Sequence, residues 1–160
     1  MQSGFTALIM DYAGRVGLHL SREQADLCRM HIELMLEWNH RLNLTRITIQ
    51  EETIVKHLLD SLLPATALPA SGNALDVGTG AGFPGIPLKI LHPGLEFTLL
   101  DASRKKVSFL AVVVAKLGLK GIHPVHGRWE DFAQAPGNRM RFSLITMRAV
   151  RLEPRHLSIL

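Results

Sequence analysis

The chain has 160 residues, 47% hydrophobic and 20% charged, a length that carries one well-buried core with an appendage and not two catalytic domains. Its single cysteine, Cys28, excludes an intramolecular disulfide and a zinc cluster built on paired thiols. No apolar run approaches the roughly 18 residues of a membrane span, and "MQSGFTALIMDY" lacks a basic n-region, so the expectation is a cytoplasmic protein.

Residues 5 to 16 place Phe5, Leu8, Ile9 and Tyr12 at helical spacing. In "SREQADLCRMHIELMLEWNHRLNL" a capping box of Ser21 and Gln24 precedes an apolar stripe through Leu27, Leu34, Trp38 and Leu42, which predicts a helix from about 21 to 41. The "NLT" that follows, Asn43 to Thr45, reads as a helix exit whose side chains bond backbone or ligand. "EETIVKHLLDSLLPATAL" predicts a third helix, acidic at its start and closed by Pro64. The loop "LPASGN" marks the boundary between an all-helical extension, residues 1–68, and a second region, residues 69–160.

There the period changes. "NALDVG", "LEFTLLD", "GIHPVHG" and "FSLITM" read as strands, with "GIPLKILH" and "SRKKVSFLAVVVAKLG" as helices between the first three. That alternation predicts right-handed βαβ units and an open α/β parallel sheet of four strands, a Rossmann-like fold. Pro124 cannot donate to a sheet ladder, so the third strand belongs at an edge, as in the order 3-2-1-4.

Ligands of such sheets bind at the carboxyl ends of the strands beside the first one, where Gly78, Thr79, Gly80 and Gly82 lie. Gly80, Gly82 and Gly85 satisfy the dinucleotide pattern G-x-G-x-x-G, which would make the protein a nicotinamide oxidoreductase. A pyrophosphate, however, needs free N–H groups at the helix N-terminus, and Pro84 and Pro87 each remove one. S-adenosylmethionine has no phosphate, and a glycine turn that admits close backbone approach suits it better. Asp76, just before the turn, either orders the loop or receives the ammonium of the methionine moiety. Asp101 ends the second strand, where a carboxylate accepts both ribose hydroxyls, or it caps the following helix. Ala102 and Ser103 follow it and are counted with the same site.

Charge is unevenly distributed: residues 1–100 carry 7 Lys/Arg against 10 Asp/Glu, and residues 101–160 carry 11 against 4. A basic C-terminal region suits RNA or DNA, or is a solvated surface. Arg104, Lys105 and Lys106 open a helix, where cations oppose the dipole, so an external anion is a reason for them. His123 and His126 face opposite sides of a strand, which argues against chelation, and no metal is expected. His57 and Asp60 share a helical face and either pair near the cleft or stabilise the helix.

"NLT", "HLLDSL", "DVGTGAGFPGIPL", "LLDASRKKVSFL", "GRWEDF" and "RAV" occur in the order and approximate spacing of a known family. Over residues 20–150 the chain resembles the RsmG (GidB) family of bacterial small-subunit ribosomal RNA guanine-N7 methyltransferases. The resemblance implies a class I methyltransferase core, S-adenosylmethionine as donor, and a guanine of ribosomal RNA in the 30S particle as acceptor. By motif position, Gly78 and Phe83 would contact the methionine end, Asp101 the ribose, and Trp129 and Glu130 the adenine region. Arg148 would face the cofactor and target cleft as the catalytic residue, with Asn43 and Thr45 joining Arg104, Lys105 and Lys106 toward RNA. The chain departs from the pattern at Trp129, Ser143 and Met147. The family's sheet also has more strands than the four found here, so the chain reads as a fragment or degenerate copy, with the last strand an exposed edge open to self-association.

Overall fold

The computed structural model describes residues 2–138, 140–148 and 150. The chain begins with α1, Gln2–Arg15, and α2, Arg22–Leu42. The capping box of α2 forms: Ser21 Oγ accepts the Gln24 N–H at 3.1 Å, and Gln24 Oε1 accepts the Ser21 N–H at 2.9 Å. Asn43 ends the helix in the left-handed region, at φ 50°.

A third helical path, α3, runs through an α turn Gln50–Thr53, a π stretch Ile54–Leu59, an α turn Asp60–Leu62 and a 3-10 turn Leu63–Ala67. Pro64 was expected to close this helix. It opens the 3-10 turn instead, because a proline in a first turn forfeits no bond.

Strands β1 (Gly72–Val77), β2 (Leu95–Asp101), β3 (Ile122–His126) and β4 (Leu144–Met147) form one parallel sheet in the order β3-β2-β1-β4. Helices α4 (Gly85–Leu91) and α5 (Arg104–Leu117) make the first two crossovers. Pro124 lies on edge strand β3, opposite Leu99. The strand read as 142–147 begins at Leu144, and the short helix α6, Trp129–Gln134, was not foreseen. Residues 151–160 lie outside the described residues.

Alternation along the strands sorts the core. Ala74 of β1 and Leu95, Phe97 and Leu99 of β2 face a core shared with α1 to α5, including Ile9, Ile32, Leu58, Ile86 and Phe109. Leu75, Val77 and Leu100 face the other side, where Trp129, Phe132, Phe142 and Met147 cover them in part. The N-terminal helices are thus packed into the main core, and α2 reaches both α4 and α5. Among the described residues no helix is long and apolar enough to cross a membrane, and no group of three His, Cys, Asp or Glu could hold a metal ion.

Candidate active site at the glycine turn

The turn between β1 and α4 crosses the carboxyl edge of the sheet, with Gly78 at φ 65° and Gly80 at φ 61°, values glycine adopts without strain. Most of its backbone donors are already committed. The N–H groups of Gly78 and Thr79 donate to Leu100 O, and those of Gly82 and Phe83 to Thr79 O. Gly80 N–H donates to Asp101 Oδ2 at 2.9 Å, Gly85 N–H to Asp76 Oδ2 at 3.0 Å, and Ile86 N–H to Gly82 O. A cradle for pyrophosphate would leave such groups open.

Asp76 is fully buried. Its second oxygen accepts the Thr146 hydroxyl at 3.0 Å, so the carboxylate links β1, β4 and the start of α4. Burial pushes this carboxyl up to about 6, against the opposing pull of the Thr79 hydroxyl, the Gly85 amide, the Thr146 hydroxyl and Arg148. Of the two roles open to it, the geometry gives ordering of the loop. It lines neither cavity described below and is too enclosed to meet a ligand ammonium.

Two cavities flank the turn, and Gly78 borders both. The first, about 350 Å³, lies over the ends of β1, β2 and β4 and is lined by Asp101, Ala102, Trp129, Glu130 and Met147, among others. Asp101 accepts the Gly80 and Ser103 amides at 2.9 and 2.8 Å, one per oxygen, which fixes the carboxylate and leaves each oxygen a lone pair. Ser103, not Asp101, caps α5, its hydroxyl accepting the Lys106 N–H. The indole N–H of Trp129 is buried beside this cavity with no partner among the described residues.

The second cavity, about 380 Å³, is lined by Thr45, Arg46, His57, Thr79, Gly80, Phe83, Lys106 and Arg148. Both volumes fall in the range of small-molecule sites, about 300–1,000 Å³. Phe83 is buried and stacked with two imidazoles, the His31 ring at 4.4 Å and the His57 ring at 5.2 Å, and the Arg148 guanidinium lies 5.6 Å from its centroid. Arg148 Nη1 donates to Lys56 O, His57 O and Asp60 Oδ2 at 3.2, 3.4 and 3.2 Å, and its Nη2 donates to His57 Nδ1 at 3.0 Å. His57 and Asp60 thus both hold Arg148. Burial first, and then the Arg148 charge, lower the pKa of His57, with Asp60 opposing.

His31 was not foreseen. It is fully buried, its Nε2–H donates to Ala81 O at 2.7 Å, and burial pushes its pKa down to about 4, so it stays neutral. The signal was present: His31 follows Leu27 by four residues and precedes Leu34 by three, on the apolar stripe of α2. Other expected residues lie apart. Gly82 is buried behind the turn; Asn43 is a helix C-cap, and Arg104 and Lys105 are exposed on α5, all outside both cavities, while Lys106 borders the second. His123 sits 3.5 Å from Glu96, and His126 bonds Ala102 O.

The family model described as rRNA small subunit methyltransferase G matches residues 24–156. The chain is 56% identical over 146 residues to Ribosomal RNA small subunit methyltransferase G 1 of Syntrophobacter fumaroxidans, an overlap of 89% of this chain and 65% of that protein. It is 43% identical to Ribosomal RNA small subunit methyltransferase G of Streptococcus thermophilus (84% and 58% covered) and of Alkaliphilus metalliredigens (89% and 61% covered). The aligned segment therefore spans roughly three-fifths of the length of these curated relatives. The glycine–proline turn, the acid that ends β2 and the family match converge on one assignment: the chain belongs to the rRNA small subunit methyltransferase G family.

Proposed function

We propose that this chain carries the cofactor site and part of the target site of a methyltransferase that moves a methyl group from S-adenosylmethionine to N7 of a guanine in small-subunit ribosomal RNA. The observation that carries the reading is the pair of cavities meeting at a glycine turn most of whose amides are already bonded. Such a turn offers close approach without an anion hole, which favours a cofactor lacking phosphate over a nicotinamide dinucleotide.

The residues present fit that cofactor. In the first cavity Asp101, fixed by two amides, has lone pairs left for ribose hydroxyls, and the buried Trp129 N–H lacks, among the described residues, an acceptor that an adenine ring supplies. Glu130 and Ala102 border the same space, and Gly78, Thr79, Gly80 and Phe83 lead toward the second cavity for the methionine end. When bound, S-adenosylmethionine supplies an electrophilic methyl on a sulfonium.

Guanine N7 carries an in-plane lone pair and no proton at neutral pH, so the protein need supply no general base. Its work is to hold the target ring in line, exclude water and place positive charge near the RNA backbone. Arg46, Lys106 and Arg148 surround the second cavity and fit that role, with the helical extension 1–68 forming its outer wall through Thr45 and His57. The setting in which this occurs is the cytoplasm.

Incubation of unmethylated 30S particles with labelled S-adenosylmethionine, followed by mapping of N7-methylguanine, tests the reading. Transfer is expected. Absence of transfer with cofactor binding intact would reduce the chain to a cofactor-binding piece, and absence of both would overturn the reading. In Asp101→Asn, weakening of charge-assisted hydrogen bonds worth about 1.5–3 kcal/mol each lowers cofactor affinity by roughly ten- to a hundredfold.

A further inference from the structure

One hydrogen-bond chain joins the N-terminal helices to the cleft, and its direction is fixed. A guanidinium has no acceptor, so at the Arg148 Nη2–His57 Nδ1 contact the arginine donates and Nδ1 accepts. A neutral imidazole has one N–H, which therefore sits on Nε2 and donates to Thr45 Oγ1 at 2.8 Å. Thr45 Oγ1 also accepts the Ile47 N–H at 3.0 Å. With both lone pairs taken, the Thr45 hydroxyl is left as a donor on the wall of the second cavity.

Each member is held in place. Asn39 clamps the Thr45 backbone, its amide donating to Thr45 O at 2.9 Å and its carbonyl accepting the Thr45 N–H at 2.8 Å. His57 sits on the π stretch of α3 and is stacked on Phe83; Lys56 O, His57 O and the Asp60 carboxylate take Arg148 Nη1. The charged and titratable groups around His57 are Arg148 from the segment after β4, Asp60 on its own helix and His31, which stacks on the same Phe83, with Arg46 and Lys106 on the cavity wall.

We propose that His57 is a positioning residue for the transfer site: its Nδ1 fixes the Arg148 guanidinium, and its Nε2–H commits the Thr45 hydroxyl to donate into the cavity. The proposal rests on the methyltransferase reading for its consequence in turnover, and on geometry alone for the relay. Protonation of His57 would put a second proton donor and a second positive charge against Arg148, which breaks the chain at its middle. Transfer therefore weakens on the acid side as the imidazole takes up a proton.

The test has two arms on the full chain. Imidazole 15N spectra at pH 7.5 are expected to give His57 as the neutral Nε2–H tautomer, with a changed Nδ1 shift in Arg148→Ala. An Nδ1–H tautomer, or a His57 spectrum indifferent to Arg148→Ala, overturns the relay whether or not the chain transfers methyl groups. In the kinetic arm, His57→Phe lowers kcat about tenfold or more, as loss of a hydrogen bond to a charged group predicts, with the melting temperature monitored separately. His57→Asn, whose Oδ1 takes the place of Nδ1 but which has no counterpart of Nε2–H, recovers part of kcat relative to His57→Phe and flattens the acid limb of the pH profile. His57→Phe with wild-type kcat and a wild-type acid limb overturns the positioning role. If the wild-type chain fails to transfer, the functional reading falls and the spectra alone decide the relay.

Discussion

Asp76 and Asp101 are both strand residues next to the glycine turn, and burial separates their roles. Asp101 remains at the lip of a cavity, whereas Asp76 is sealed beneath the turn with its oxygens given to Gly85 and Thr146. Because its carboxyl is raised to about 6 from an ordinary 3.8, the folded state keeps a proton that the unfolded chain releases between those values. Its contribution to stability is thus fully present at low pH and declines as pH rises through that window. The ionised form at neutral pH costs on the order of 3 kcal/mol, at 1.36 kcal/mol per unit. Asp76→Asn still accepts the Gly85 amide, and its amide can donate to Thr146 Oγ1, which has Leu75 O as an alternative acceptor at 3.5 Å. The melting temperature of Asp76→Asn should therefore equal or exceed that of the wild type at pH 7, with a flatter dependence between pH 4 and 6. A lower melting temperature with the wild-type pH slope would show that the buried charge is not the governing term. Position along the chain marked both acids as important; it could not say which was enclosed, because enclosure of Asp76 depends on β4, some 70 residues downstream.

At the level of elements, α4 illustrates how close packing fixes a glycine. A Cβ on Gly85 would collide with Leu99 Cδ2 and lie 2.8 Å from Asp76 Oδ2, so the first turn of α4 rests directly on β1 and β2. Gly85→Ala must push the helix off the sheet and disturb the turn, at a cost of about 1–3 kcal/mol typical of overpacked cores. Gly14 in α1 meets nothing within 4 Å, and Gly14→Ala should stabilise by about 0.5–1 kcal/mol through helix propensity. Chemical denaturation of the two variants checks the opposite signs; equal effects would contradict the packing account. The same elements set what sequence could reveal. Strands alternating with helices gave the parallel order, and Pro124 gave the edge, because both are local signals with one structural solution. The six-residue α6 and the π stretch of α3 carry no periodic signature of their own; tertiary contacts determine them. The relay through His57 was only half legible for that reason. His57 and Asp60 were visible as neighbours on a helix, but their common partner, Arg148, arrives from about 90 residues away.

Across the whole molecule the sheet is supported unequally. One face carries the large core in which α1 to α5 meet, with Phe109 of α5 fully buried and its ring 5.8 Å from that of Trp38 on α2. The other face, among the described residues, has three buried hydrophobics and a partly exposed cover in which Phe132 and Phe142 lie 6.0 Å apart. Stability is therefore concentrated where the N-terminal helices join the sheet, and the first cavity opens on the lightly covered side, beside Trp129 and Met147. Two phenylalanine truncations separate the faces. Phe109→Ala removes a fully enclosed ring and leaves a cavity that partial relaxation does not fill, which costs about 3–5 kcal/mol. Phe132→Ala gives up a ring that is only partly covered, and at about 25 cal/mol per Å² of apolar surface its loss amounts to about 1.5–2 kcal/mol, with no enclosed cavity left behind. Urea unfolding should give a far lower midpoint for Phe109→Ala than for Phe132→Ala. Because Phe132 belongs to the α6 segment that carries Trp129 and Glu130, the proposed cofactor site predicts that Phe132→Ala weakens S-adenosylmethionine binding in calorimetry more than its smaller stability cost implies. Comparable midpoints for the two variants would mean that the sheet draws its support evenly, and that the helical extension is not the anchor of the fold.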